Sequence, residues 1–565
     1  MRNTEVVYLP VFHAPFHATR RAFLKAAAAG LAWPTIGRSA TLPPSETLYN
    51  GIVLADPWPP RRARLSADPQ RPPYLASPPA VIPIDVGRQL FVDDFLIEES
   101  SLFRAFHQAD YHTGNPVLSP ERDWERRDPY SKLTGTPPSP SAMVFSDGVF
   151  FDPADRLFKM WYMAGYQQHT ALATSRDGVR WDRPALDVVP GTNIVSSQPR
   201  DSNTVWLDLE AVNPAERFKM AGYDLKTKTL RLHLSHDGVH WREVGQSGPC
   251  GDRSTCFRNP FRDRWVFSLR ADDTGGLDRF RRYLETRDFT DAAWRDDGPV
   301  SWAGADTLDL VRQDLRTRPQ LYNLDAVAYE SVLLGLFTIY RGEKPNREKP
   351  NDLCVGFSRD GFHWSRTSRE PFIPVSERQG DWNWANVQSA GGGCLIVGDR
   401  LFFYVSGRQG VPGTAMPGTC STGLATLRRD GFASVTDTWP AGQPRPVGAG
   451  RASLTTRPLR WSGAHLFVNA DVEGALRVEV LDASGRVIAP FTLEGAVPVM
   501  GDGTRQAVRW QGRASLAELA GEVVRFRFTL SRARLYAFWV SPSPTGSSRG
   551  YAAAGGPGFV SSTDL

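Results

Sequence analysis

Four aspartates stand in, or just before, apolar strand-like runs that follow one another along the chain: Asp147 in FSDGVFF, Asp201 in RDSNTVW, Asp252 in GDRSTCF and Asp325 in YNLDAVAYES. The fifth such place carries amides instead, Asn386 and Gln388 in WANVQSAGGG. Carboxyl groups gathered at one point can divide labour, one kept protonated as a general acid and another ionised as a base or nucleophile. Crowding them together is itself a means of raising one of the pKa values. Asp252 and Asp325 lead as candidate catalytic residues because basic and aromatic groups adjoin them, Arg253 in one case and Tyr322 with Asn323 in the other. Asp201, followed by Asn203, and Glu330, which closes AYES as a longer acid, complete the catalytic set. Asp147 sits in Ser-Asp-Gly, which is also an ordinary turn sequence, and an aspartate before a strand often only caps a turn.

A fold that brings five such places to one point is written in the sequence as a repeat. TSRDGVRW (174–181), LSHDGVHW (234–241) and FSRDGFHW (357–364) are close copies, and ETRDFTDAAW (285–294) and TLRRDGFA (426–433) are weaker ones. Asp-Gly between β-rich runs marks a tight hairpin, because glycine accepts positive φ and the aspartate can bond its own backbone. Each copy is preceded by two further strand-like runs, such as GVFFDP and LFKMWYMAG in the first unit, so every unit reads as a four-stranded meander. Five units in series predict a five-bladed β-propeller over 85–445, whose sheets bury their faces against one another. Trp181, Trp241 and Trp364 are expected to pack beside their hairpins. After Pro446 the alternating runs LFVNADV, LRVEVLD, RQAVRW, VRFRFTL and LYAFWVS predict a β-sandwich over 446–542, followed by a flexible tail over 543–565. The fold class is all-β.

The Thr-Arg-Arg-Ala-Phe-Leu-Lys run at 19–25, followed by AAAAGLAWPTIG and a small-residue stretch, resembles a twin-arginine signal peptide over 1–40. It predicts export by the Tat machinery to the periplasm or beyond. Residues 41–84, rich in Pro and Arg, read as a tether or surface wrap. No segment is long and apolar enough to predict a membrane span. The formal net charge is only +5, with basic and acidic residues interspersed, so nucleic acid is not an expected partner. Of the five cysteines only Cys250 and Cys256 are close in sequence; they are either bridged or, like the others, small buried apolar groups. His107, His112 and His169 lack metal-ligand spacing.

The cadence of FKMWYMAG followed by LATSRDGVRW resembles the five-bladed glycoside hydrolases of families 32, 43, 62 and 68, some of which carry a C-terminal β-sandwich. The LFVDDFLIE segment (90–98) is similar to an entry segment of exported bacterial proteins. The resemblance implies hydrolysis of a poly- or oligosaccharide by two carboxyl groups across the scissile bond. It implies no cofactor and leaves room for an axial calcium, as in some family 43 enzymes. The signature motifs around the catalytic residues of families 32 and 43 are absent, so the roles assigned here rest on position. A sugar site also needs flat aromatic faces and amides: Arg253, Asn203, Tyr322, Asn323, Trp382, Trp384, Asn386 and Gln388 are the expected substrate-binding residues, with inter-blade packing the competing role for both tryptophans. Two other functions fit the same fold: a non-catalytic carbohydrate-binding or scaffolding propeller, and a sialidase-like enzyme, since Ser-x-Asp-Gly-x-x-Trp resembles the Asp-box.

Overall fold

The computed structural model describes residues 46–61, 65–127, 139–272, 277–295, 297–342, 347–440, 442 and 451–565. The signal-like segment at 1–40 therefore lies outside the described residues. Strands dominate, and among the described residues no helix is long and apolar enough to cross a membrane.

Five antiparallel sheets follow one another around an axis. The first blade is built from Ala142–Asp152, Leu157–Ala164, His169–Ser175 and Ile194–Ser196. The second runs from Asn203–Leu207 to Arg242–Pro249, and the third from Thr255–Asn259 to Val300–Gly304. The fourth comprises Gln320–Glu330, Val332–Tyr340 and Asn351–Ser358, flanked by single bridges from Leu353 to Ile373 and from Phe357 to Ser365. The fifth takes Asn386–Ser389, Arg400–Arg408 and Cys420–Arg428 from its own repeat, and its outer strand, Asp110–Tyr111, from the other end of the chain. That strand closes the ring: its backbone bonds to Ala425 and Thr426 tie the first turn of the propeller to the last.

The repeated hairpin is a staple between blades. In the first copy the amides of Asp177 and Gly178 donate to Ser175 Oγ, and those of Val179 and Arg180 donate to Asp177 Oδ1. The same pattern recurs around Asp237 and, for Gly361, Phe362 and His363, around Asp360. The turn carbonyls then accept from aromatic donors of the preceding blade: Tyr404 Oη donates to Gly178 O at 2.6 Å, Trp161 Nε1 to Gly238 O at 2.8 Å and Trp302 Nε1 to Phe362 O at 2.7 Å. Trp181 meets Tyr404 edge to face and Trp364 meets Phe337 likewise, while Trp241 is half-buried against the same core. Gly238 has φ +78°, and a Cβ there would lie 2.5 Å from the Trp161 ring. Gly238→Ala is therefore expected to destabilise the protein by about 1–3 kcal/mol through overpacking and left-handed strain, read as a lowered denaturation midpoint.

The ends of the chain depart from the sequence-based boundaries. Ile82–Pro83, Gln89–Leu90, Ile97–Ser100 and Phe103–Phe106 do not belong to a tether or to the propeller. They hydrogen-bond to Leu459–Arg460, Val524–Ser541, Ser453–Thr456 and Ala433–Thr436 in a single ten-stranded C-terminal sheet. All the strands expected of a sandwich join this sheet, whose spine is the pair of 18-residue strands His465–Asp482 and Val524–Ser541. Leu48, Ile52, Leu54 and Tyr74 of the Pro-rich segment are buried in its core. The tail is not loose: Tyr551–Ala552 pairs with the end of Gln320–Glu330, and Ala552 and Ala554 are buried. Phe151 N donates to Ala554 O and Ile396 N to Gly555 O, so residues 551–555 link blades one, four and five. Small residues without an apolar pattern gave no sign of this in the sequence; the backbone itself makes the contacts. All five cysteines are free, and burial pushes Cys250 up to about 11.

Candidate active site

The first strand of each blade, or the loop that leads into it, carries the polar groups singled out in the sequence. Asp147, in the first inner strand, is fully buried and is gripped by both Nη atoms of Arg200 at 2.6 and 2.8 Å. Burial raises its pKa in spite of that partner. Asp147 is thus a closed structural pair, not an open acid.

Asp201, Asp252 and Asp325 do come together around Arg253. Asp201 accepts from Gln167 Nε2 at 3.1 Å, and its Oδ1 has no partner among the described residues. Burial raises its pKa, and the neighbouring charge of Asp252 raises it further. Asp252 is more open, its side chain 38% exposed, and is bonded by Arg270 and, at 3.3 Å, by Arg279. Burial pushes it upward, but Arg279, Arg270 and Arg253 outweigh burial and hold it below the ordinary aspartate value. Asp325 is buried in the fourth inner strand, accepting from Asn323 Nδ2 at 2.7 Å and Ser389 Oγ at 2.5 Å. Burial keeps its pKa raised against the pull of Arg253.

Arg253 is buried, with φ +59°, and its guanidinium lies 4.0 Å from the Phe145 ring and 6.0 Å from that of Tyr322. Tyr322 is covered on its other flank by Arg279, 3.9 Å from the ring centroid. Asn323 Oδ1 and Gln388 Oε1 are buried without partners among the described residues, while Gln388 Nε2 donates to Asn386 Oδ1 at 2.6 Å and Asn386 Nδ2 to Lys349 O at 2.7 Å. Asn203 donates to Thr170 Oγ1 at 2.8 Å and, with Arg200 and Tyr223, lines a cavity of about 350 Å³ beside the cluster.

Three expected site residues lie elsewhere or are otherwise engaged. Glu330 is at the opposite end of its 11-residue strand, buried in a charge network: it accepts from Arg88 N at 3.1 Å, Ser548 Oγ at 2.7 Å and Arg429 Nη2 at 2.9 Å. Eight residues of strand put Glu330 about 26 Å from Tyr322, so the two cannot meet at one sugar ring. The Trp382 ring packs on the fifth blade, where a Cβ on Gly407 or Gly423 would lie 2.2 Å from it. Trp384 is buried with Arg347 5.3 Å over its ring. Packing holds both tryptophans.

Sequence reasoning missed Arg270 and Arg279, which bond Asp252, Arg281, which donates to Arg253 O, and Arg408, whose charge pulls Asp201 downward. The signal was the alternation of Arg279 and Arg281 in LDRFRRYLE, which at period two puts both on one face of a strand. Among the described residues no group of three or more His, Cys, Asp or Glu is arranged to hold a metal ion, and with Asp147 taken by Arg200 the axial groups do not fit a calcium cage.

No known protein family matches the chain. No curated protein matches it either. Solved structures do. One is an N-acetylgalactosamine deacetylase from F. plautii, solved with blood group B trisaccharide, at 16% identity and a TM-score of 0.39 over 59% of this chain and 97% of that one. A thermostable family-43 glycoside hydrolase aligns at 10% identity and TM-score 0.36, covering 52% of this chain and 93% of its own. A fructofuranosidase from Schwanniomyces occidentalis, complexed with fructosylnystose, aligns at 11% identity and TM-score 0.33 over 70% and 94%. The chain is a five-bladed β-propeller with a C-terminal β-rich unit, and its structural neighbours include glycoside hydrolases of the family 43 and fructofuranosidase kinds.

Proposed function

We propose that the protein is an exported glycoside hydrolase that cleaves a poly- or oligosaccharide at the mouth of the propeller axis. The observation that carries the reading is the opposed bias of two neighbouring carboxyl groups: burial and the charge of Asp252 raise Asp201, while Arg279, Arg270 and Arg253 hold Asp252 lowered. Two carboxyls pushed apart in this way are assigned as acid and base. Asp201 is the general acid that protonates the leaving oxygen, and Asp252 the ionised partner that attacks the sugar or activates water. Asp325 is the buried third carboxyl, which positions Asn323 and Ser389 and adds to the local field. Asn203, Tyr322 and Gln388 bind hydroxyl groups.

A glycan screen on the purified protein and on Asp325→Asn tests this. Release of reducing sugar by the wild type, with a lower rate for an Asp325→Asn variant that melts no lower than the wild type, is expected. Binding without any turnover would replace the hydrolase by a carbohydrate-binding propeller.

Export rests on residues 19–25. Replacing Arg20 and Arg21 by Lys is expected to leave the folded protein in the cytoplasm, measured by fractionation. Unchanged export of the double variant would remove the Tat assignment.

A further inference from the structure

Arg253 lies among three aspartates, yet one edge of its guanidinium is bonded by no acceptor among the described residues. Arg253 uses only one of its donors on another side chain, Nη1 to Ser146 Oγ. Its Nε and Nη2 are buried and have no hydrogen-bond partner among the described residues. These two atoms form one complete edge of the guanidinium, whose parallel N–H bonds match a carboxylate or another oxyanion. Asp201 and Asp325 lie within electrostatic reach of Arg253, but neither bonds it. A buried charged donor left unbonded is costly, and its partial cover by Phe145 and Tyr322 does not replace hydrogen bonds.

Three further observations point the same way. Arg253 is held at φ +59°, an unfavourable conformation for a long side chain that is typical of functional positions. Arg281, itself buried, donates from Nη2 to Arg253 O and Ser268 O at 2.6 Å and from Nε to Ser268 Oγ at 3.0 Å. All its bonds go to neutral acceptors, so it holds Arg253 in place without neutralising it. Arg279 lies against Tyr322, its Nε also without a partner among the described residues, and shares Asp252 with Arg270.

We propose that the site takes an acidic sugar, one carrying a uronate carboxylate or a sulfate ester, whose oxyanion is bound by the Nε–Nη2 edge of Arg253 with Arg279 beside it. The inference rests on the glycosidase reading for the sugar and on the arginines for the charge. Arg281 acts through Arg253 as a positioning residue.

Isothermal titration of the full-length exported protein with D-glucuronate, D-glucose 6-sulfate and D-glucose tests this without requiring turnover. One or both anionic probes should bind at least about tenfold more tightly than glucose. The two arms tell a carboxylate from a sulfate, and a rise in NaCl should erode the advantage. Arg253→Gln and Arg279→Gln should each abolish the difference between charged and neutral probes. Because Arg253 is buried, melting temperatures accompany both variants, and Arg279→Gln decides if Arg253→Gln does not fold. Equal or tighter binding of glucose, an undiminished preference in a folded variant, or no binding of any probe overturns the proposal. Cleavage of a neutral glycan in the screen above would still leave the hydrolase standing.

Discussion

Asp252→Asn is expected to lower turnover by about 10²- to 10⁴-fold, the usual contribution of one acid or base, with Asp201→Asn losing a comparable factor. The two variants should differ in pH dependence. The active form needs Asp252 ionised and Asp201 protonated, so the wild-type profile is a bell. Its acid limb belongs to Asp252, held below the ordinary aspartate value, and its alkaline limb to Asp201, raised above it. Residual activity in Asp252→Asn should lose the acid limb, and that in Asp201→Asn the alkaline one. Stability should move the other way for Asp201. A carboxyl whose pKa is raised on folding contributes stability that is complete below its unfolded value and is lost as pH rises through the folded one. As pH rises above the ordinary aspartate value the wild type progressively loses that contribution, whereas an Asn has nothing to ionise. Asp201→Asn should therefore melt above the wild type at neutral pH and lose this advantage at about pH 3, a gain in stability at the cost of function. Full turnover in either Asn variant, or a lower melting temperature for Asp201→Asn at neutral pH, would sink the assignment.

Glu330→Gln tests the opposite end of the same inner strand. Glu330 joins Arg88, just before the LFVDDFLIE segment, Arg429 of the last hairpin and Ser548 of the tail. Asp430 beside it binds Arg88 Nη1 at 2.8 Å, Tyr329 Oη at 2.5 Å and Asn469 Nδ2 at 2.9 Å. Removing one partner from a buried ionic network leaves the others uncompensated, and costs about 3–5 kcal/mol. Glu330→Gln should lower the denaturation midpoint accordingly and make the 543–565 segment accessible to protease, with turnover per folded molecule unchanged. Unaltered stability with abolished turnover would return Glu330 to the catalytic set.

The sequence announced the propeller because its recurring hairpin is a local object. Ser, Asp and Gly within four residues satisfy one another's backbone, so Asp177, Asp237 and Asp360 could be read, and five copies counted, without knowing any long-range contact. The carboxylates at Asp201, Asp252 and Asp325 were legible for the same reason: each has a fixed place relative to its own blade. Pairings across hundreds of residues were not. Nothing in LFVDDFLIE says that strands of two to four residues will join a sheet closed by residues 453–541, or that Asp110–Tyr111 will complete the fifth blade.

The site divides along the same line. Residue types and spacing by themselves marked Asp147, Asp201, Asp252 and Asp325 as one recurring place in successive blades, and tertiary structure alone decided what each is worth and that Glu330 belongs to a different network. Asp147 and Asp201 look alike in sequence, but Arg200 closes one and leaves the other with an oxygen unbonded among the described residues. Asp252 and Asp201 are pushed in opposite directions because Arg270, in the strand Arg264–Ala271, and Arg279, just before the strand Phe280–Thr286, bond Asp252. Protonation depends on burial and on charges a few ångströms away, and those distances do not exist until the blades have closed into a ring.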